Sequence, residues 1–247
     1  MDRVRFSTIA HRDLTVLNPI SAWKLDHMIS LLDLPPGARV LDVGCGKADL
    51  LMRVAERWGA HAVGVDSNGE FLAEARAHAF DRGIAGSLEL HEMEMSKFDA
   101  APASFDAVCC VGAAHAFGDQ AKALKALAAL LEPGGKLILG DGYWKKKPEA
   151  AYLKVLGAKA DEMTEHDGNV AAIVKAKLVP LYSVAANQDE FDHYEGMYAR
   201  AVEMHLREKP DDPDAEAMAE RIRKWRDAYF KWGRETLGFG MYLALKP

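Results

Sequence analysis

From Arg39 to Leu139 short apolar runs alternate with stretches whose apolar residues recur at helical spacing, and this alternation restricts the fold more than any other feature. Arg39–Val43 reads as a buried strand. Ala48, Leu51, Val54, Ala55 and Trp58 then share one helical face, and Gly59 stops that helix. Residues 61–65 form a second strand, ending on Asp66. Phe71, Leu72, Ala75 and Ala79 mark the next helix, stopped near Gly83. Further strands are predicted at 87–90, Phe105–Val111 and 136–139. An alanine- and leucine-rich helix at 121–131 ends in Pro133-Gly134-Gly135. Strands that alternate with helices predict a parallel sheet covered on both faces, with right-handed crossovers.

The flanks differ in rhythm. Asn18-Pro19 offers a helix cap and first turn, followed by a stripe of Ala22, Leu25, Ile29 and Leu32. Beyond Gly142, residues 145–177 read as helical. A weak strand at 181–185 is placed at an edge or strand start by Pro180. Helices are predicted at 189–206 and 214–237, the second carrying Trp225, Tyr229 and Trp232, which read as core. The chain closes on a strand at 238–245.

With 247 residues, 49% of them hydrophobic, the chain can bury a large core, as one large domain or as a domain with an inserted cap. No apolar run reaches the ~18 residues of a membrane span, and MDRVRFSTIAHRD lacks a signal-peptide core. The expectation is a cytoplasmic protein with no membrane contact. A net charge of −6 argues against a nucleic-acid partner, and Lys145-Lys146-Lys147 reads as a solvated run. Cys109 and Cys110 would face opposite sides of a strand. The three cysteines show no spacing for a metal or redox pair, so no metal is expected and Cys45 reads as a reduced thiol.

The stretch VLDVGCGKADL, Val40 to Leu50, carries the chemistry. A strand that ends in glycines and feeds a helix presents free N–H groups and allows close approach. Ligands of open parallel sheets bind at the carboxyl ends of the strands, so Gly44 and Gly46 should lie against one. Asp66, twenty residues after Gly46, can accept two hydrogen bonds from a ribose diol. An adenosine-containing cofactor follows. The stretch from Gly44 to Asp49 lacks the third glycine of a dinucleotide fingerprint, and Asp49 at the helix start should repel a pyrophosphate. No GxxxxGK[ST] motif is present either.

V-L-D-V-G-C-G followed by Asp66 resembles the class I S-adenosylmethionine-dependent methyltransferases. Asp42, Gly44 and Gly46 match their first motif, and Ala48 replaces its last glycine, a change expected to tighten the turn without filling the pocket. Ser104-Phe105-Asp106 resembles the family's fourth-strand start. Counting back from it puts Glu94 near the adenine amine and the Met95 backbone beside the ring. The segment from Cys110 to His115 resembles the floor beside the transferable methyl. Leu131-Glu132-Pro133-Gly134-Gly135 resembles the turn into strand five. HRDLTVLNPIS, GDGYWKKKP and NQDEFDHYEG are similar to a bacterial branch acting on small molecules.

The resemblance implies a doubly wound, Rossmann-like α/β fold: seven strands, an antiparallel last strand, helices on both faces and a helical cap insertion. It divides 1–247 into an N-terminal helical segment (1–35), a cofactor-binding core (36–144), a cap (145–190) that together with the N-terminus forms the lid selecting the acceptor, and C-terminal helices with the final strand (191–247). S-adenosyl-L-methionine is the implied cofactor and S-adenosyl-L-homocysteine its product. Asp42, Gly44, Cys45, Gly46, Asp66, Ser67, Glu94, Met95 and Gly112 are its expected neighbours. Methyl transfer to a small-molecule acceptor is an in-line displacement that depends on alignment. His115 and His11 are the expected bases, and Tyr143, Trp144 and Tyr194 the expected acceptor wall. A sensor of the cofactor or its product, and a nicotinamide-dependent dehydrogenase, are the alternative functions.

Overall fold

The computed structural model describes residues 1–247. Seven strands form one sheet: β1 (Arg39–Val43), β2 (His61–Asp66), β3 (Leu88–Glu92), β4 (Phe105–Val111), β5 (Leu131–Trp144), β6 (Val179–Ala185) and β7 (Leu237–Leu245). Their order is β3-β2-β1-β4-β5-β7-β6, and β7 runs antiparallel to both of its neighbours. The expected doubly wound sheet with an antiparallel last strand is therefore present. Its strand order reverses between β1 and β4, which opens a crevice beyond their carboxyl ends.

Alternation along the strands divides the core. Val40, Ala107, Cys109 and Ile138 face one side, packed by α2 (Ala22–Ser30) and α3 (Asp49–Trp58). Leu41, Val108, Cys110 and Leu137 face the other, packed by α5 (Gln120–Leu130) and α7 (His166–Lys175). The adjacent cysteines part as expected, and burial pushes both thiols up. The remaining helices are α1 (Arg3–Ala10), α4 (Gly69–Asp81), α6 (Ala150–Leu156), α8 (Gln188–Glu208) and α9 (Ala215–Ala228). No helix is long and apolar enough to cross a membrane.

The structure departs from the sequence reading at several boundaries. Ser21, not Asn18, caps α2, accepting from the Lys24 N–H. Asn18 instead turns its amide to the Val111 carbonyl, 3.3 Å away. β5 begins at Leu131, ahead of Pro133-Gly134-Gly135, because Leu131 pairs with Phe105 and Gly134 and Gly135 bond Lys246; the register shifts there, so the residues read as a turn form an excursion within the strand. The long helix expected over 214–237 breaks into a π turn at Tyr229–Gly233 and a short turn at Arg234–Thr236. Tyr229 is buried, while Trp225 and Trp232 are only half-buried. α1 carries no apolar periodicity that would announce it. It forms because Phe6 and Ala10 bury against Ala199 and Val202 of α8 and Met218 and Ile222 of α9.

Candidate active site

Gly44 and Gly46 leave β1 with φ of +69° and +53°, a region that costs other residues about 1–2 kcal/mol. A Cβ on Gly44 would lie 2.3 Å from the Ala113 Cβ, and one on Gly46 2.7 Å from a Leu17 methyl. These glycines therefore let the segment after β4 and the N-terminal segment close onto the turn. Ala48, at φ +55° and fully buried, keeps the third left-handed position despite its methyl.

Asp66 ends β2 and ties this turn to the next helix. One of its oxygens accepts from the Gly46 N–H and the other from the Asn68 N–H, each at 2.8 Å. Asn68 in turn caps α4 and donates to Thr8 Oγ1 at 2.9 Å, which fastens α1. Lys47, with its side chain 3% exposed, bonds the carbonyls of His11 and Arg12 at 3.1 and 3.2 Å and pairs with Glu74 at 2.7 Å. The first twenty residues are thus held across the ends of β1 and β2.

Between them lies a cavity of ≈ 590 Å³. Gly44, Gly46, Asp66 and Ser67 line it from the first two strand ends. Glu94, Met95, Gly112 and His115 line it from the segments after β3 and β4. His11 and Tyr194 complete ten of the fourteen residues singled out from sequence. Ser7, Leu17, Asn18, Phe71 and Ser96 join them. Nothing local marked these five, since chain reversals bring them in.

The other four sites lie elsewhere. Asp42 and Cys45 line a ≈ 60 Å³ pocket that shares Gly44, Gly46, Leu17 and Asn18 with the larger cavity. Asp42 is 4% exposed, and its Oδ1 has no hydrogen-bond partner. Burial, and then the neighbouring Asp66, push its carboxyl up to about 7. Trp144 is buried among Tyr152 and Ala228 and donates to the Ala160 carbonyl at 2.9 Å. Tyr143 packs edge-on to His166, 5.2 Å between centroids, and over Gly238. Neither lines the cavity: the β5–β7 pairing carries both along the sheet, past the crevice.

The segment 145–190 contributes no side chain to this cavity, and α7 packs on the sheet and on α5. Of the cover expected from that segment together with the N-terminus, the N-terminal residues line this cavity with Tyr194 of α8, while Asn187, Asp189 and Glu190 line a neighbouring cavity with residues 13–22. Asp49 also departs from expectation. It pairs with Arg53 at 2.6 Å and Arg82 at 3.3 Å, outside the main cavity, so it repels nothing there.

The electrostatics of the cavity have one sign. Its lining includes the carboxylates of Asp66 and Glu94 and two histidines, with no lysine or arginine. His11 is drawn below its ordinary pKa by burial, against a hydrogen bond to Ser7 that favours the charged form; the charge of Lys47 lowers it further. His115 is exposed on the turn Ala114–Phe117 at the cavity's rim.

The sheet order and the cavity at its reversal point define a Rossmann-like α/β protein of the seven-stranded type. Residues 40–135 match the family model for a methyltransferase domain. The chain is 28% identical over 245 residues, 98% of each chain, to the Escherichia coli protein YjhP, described as uncharacterized. It is 36% identical over 148 residues to a ubiquinone biosynthesis O-methyltransferase of Xanthomonas axonopodis, covering 60% of this chain and 59% of that one. A crystal structure of an S-adenosylmethionine-dependent methyltransferase from Geobacter sulfurreducens, in complex with S-adenosyl-L-homocysteine, superposes with a TM-score of 0.92 at 27% identity over 98% of both chains. On this domain match and this likeness over nearly its whole length, the chain is similar to the S-adenosylmethionine-dependent methyltransferases.

Proposed function

We propose that the ≈ 590 Å³ cavity binds S-adenosyl-L-methionine and that the protein methylates a small-molecule acceptor. One observation carries this reading: the cavity at the glycine turn is lined by two carboxylates and no cation. S-adenosylmethionine bears a sulfonium, an ammonium and one carboxylate, a net positive charge that such walls favour. A pyrophosphate cofactor would face only repulsion, which disfavours the dehydrogenase alternative on firmer grounds than Asp49 did.

The residues present fit the group. The N–H groups of Gly44, Cys45 and Gly46, expected to be free, are donated to the Val65 carbonyl and to Asp66, so the turn offers the amino-acid headgroup close backbone approach rather than donors. Asp66 uses one lone pair of each oxygen on backbone, leaving others for a ribose diol. Glu94 and the Met95 backbone suit the adenine, Ser67 the ribose edge and Gly112 the floor. Asp42, with its unpartnered oxygen in the small pocket behind the turn, and Cys45 support the turn from beneath. Bound, the cofactor supplies an electrophilic methyl group. The chain's own work is alignment, exclusion of water by the N-terminal segment, and acceptance of a proton by His11 or His115. The relatedness to an O-methyltransferase supports a small acceptor, and the net charge of −6 disfavours a nucleic-acid one. The N-terminal residues up to Ala22 and α8 act as the acceptor-facing cover of one methyltransferase unit, in the cytoplasm.

Calorimetry with S-adenosylmethionine and S-adenosylhomocysteine tests the cavity assignment, with binding of both expected. Mass spectrometry of a small-molecule acceptor panel tests transfer. Binding without any methylated product would favour a sensor.

A further inference from the structure

His11 and Tyr194 lie 183 positions apart in sequence and meet on the cavity wall, Nε2 to hydroxyl at 3.0 Å. The partner of the other ring nitrogen fixes the direction of that bond. Nδ1 lies 2.8 Å from the Ser7 carbonyl oxygen, which only accepts, so Nδ1 carries the proton. The Ser7 hydroxyl oxygen, 3.2 Å away, shares it as a second acceptor. Nε2 is then a bare acceptor, and the Tyr194 hydroxyl donates to it. Tyr194 has spent its own proton on His11 and offers only oxygen lone pairs to whatever approaches. Its approaching partner must therefore be a hydrogen-bond donor.

Tyr194 also walls a second cavity of ≈ 600 Å³, formed by residues 13–22 and the start of α8, and shares that position with Asn18. If the first cavity is filled by the cofactor, the second gives an acceptor room beside Tyr194. The charges around the pair select the acceptor further. Lys47, itself paired with Glu74, places a cation beneath His11. Glu195, next to Tyr194, is buried, bonded to Trp225 Nε1 at 2.7 Å and pushed up to about 7 by burial. Tyr198 stacks edge-on to His11 at 5.0 Å, with Arg221 beyond it. Asp13, Asp189 and Glu190 also line the second cavity, but at the Tyr194–His11 pair itself the neighbouring charge is the Lys47 cation, which favours a neutral hydroxyl that gains negative charge there.

Resting on the methyltransferase reading, we infer that Tyr194 is a catalytic residue that takes the proton of a weakly acidic hydroxyl on the acceptor, with His11 as the positioning residue that receives the Tyr194 proton. As the acceptor O–H bond breaks, its proton passes to the Tyr194 oxygen and the Tyr194 proton passes to His11 Nε2. The electron pair left on the acceptor oxygen forms the new O–C bond, while the pair of the breaking C–S bond returns to sulfur. The imidazolium then releases its proton to water. Atoms and charge balance without any further reactant.

The test uses the full chain saturated with S-adenosylhomocysteine and 4-nitrophenol, whose visible absorption reports its ionisation. Wild type is expected to bind the phenol and lower its ionisation midpoint by about one pH unit. Tyr194→Phe, and independently His11→Gln, each read at saturating S-adenosylhomocysteine, are expected to return the midpoint to that of free probe. Long-range ¹⁵N correlation spectra of wild type should show His11 protonated on Nδ1. A phenol that does not bind, binds without a shift, or keeps its shift in Tyr194→Phe overturns the inference, as does an Nε2-protonated His11. Failure of wild type to bind S-adenosylhomocysteine would overturn the underlying function instead, and this inference with it.

Discussion

Replacing Asp66 by alanine should damage the protein twice, and the two effects are separable. Without any ligand, the carboxylate accepts from Gly46 and Asn68 N–H groups at 2.8 Å each. Hydrogen bonds to a charged group contribute about 1.5–3 kcal/mol when well buried. Asp66 is half-buried, so the lower end applies and the pair should contribute about 2–3 kcal/mol. Loss of the Asp66 charge also relieves Asp42, which offsets a part of this. For a chain of this size the melting temperature should fall by roughly 5–10 °C. In the proposed complex the same oxygens hold the ribose diol, and their removal should weaken S-adenosylhomocysteine by about 1–3 kcal/mol, roughly 5- to 150-fold in Kd. Asp66→Asn keeps one carbonyl oxygen and should recover about half of the stability loss. Differential scanning calorimetry of the ligand-free protein and titration calorimetry give the two numbers. A melting temperature that moves by less than about 1 °C would refute the anchoring of the turn. An unchanged Kd would refute the placement of the ribose.

Gly44→Ala should cost about 2–4 kcal/mol in urea denaturation, from its positive φ and from a Cβ 2.3 Å from Ala113. Gly59→Ala, with φ +62° but open space around it, should cost only about 1 kcal/mol. Lys47→Met leaves two backbone carbonyls and Glu74 without their cation. It should lower stability by about 2–4 kcal/mol and speed limited proteolysis within residues 11–17. For Asp42 the folded pKa of about 7 lies above its ordinary 3.8, so the native state holds a proton that the unfolded chain releases between those values. Stability contributed by the protonated group is therefore lost as pH rises through that window. Asp42→Asn should match wild type near pH 4 and exceed it at pH 8, by up to about 4 kcal/mol, in parallel denaturant titrations.

What the sequence made legible was local. The turn Gly44-Cys45-Gly46 and Asp66 lie within one strand–helix–strand unit, and their geometry follows from strand ends and a backbone hydrogen bond. β1 and β4 keep their expected limits because both are central strands with no competing turn chemistry. The misread elements depended on distant partners. Pro133-Gly134-Gly135 looks like a turn until the Gly134 N–H is seen bonded to the Lys246 carbonyl at 2.8 Å. Tyr143 and Trp144 looked like a pocket wall until the register with Gly238 and Leu237 fixed which way they point. α1 had no apolar stripe of its own, and only the groove between α8 and α9 makes it helical. His11 and Tyr194 were each visible as candidates, but their hydrogen bond was not.

This division has a consequence for specificity. Gly44, Gly46, Asp66, Glu94 and Gly112 all fall within the matched domain at 40–135, whereas Ser7, His11, Leu17, Asn18 and Tyr194 fall outside it. The half of the cavity proposed for the cofactor is thus built by the sheet and its first turns, while the other half is brought in by the N-terminal segment and α8. Leu17 reaches Gly46, Asn18 reaches Val111, and Lys47 reaches back to His11 and Arg12, so the two halves are joined by contacts in both directions. A change in the N-terminal segment can therefore alter which acceptor is taken without touching the cofactor's carboxylate. It can do so only while that segment stays seated, and Lys47, Asn68, Gly46 and the Asn18–Val111 contact are among the holds that seat it on the ends of the central strands.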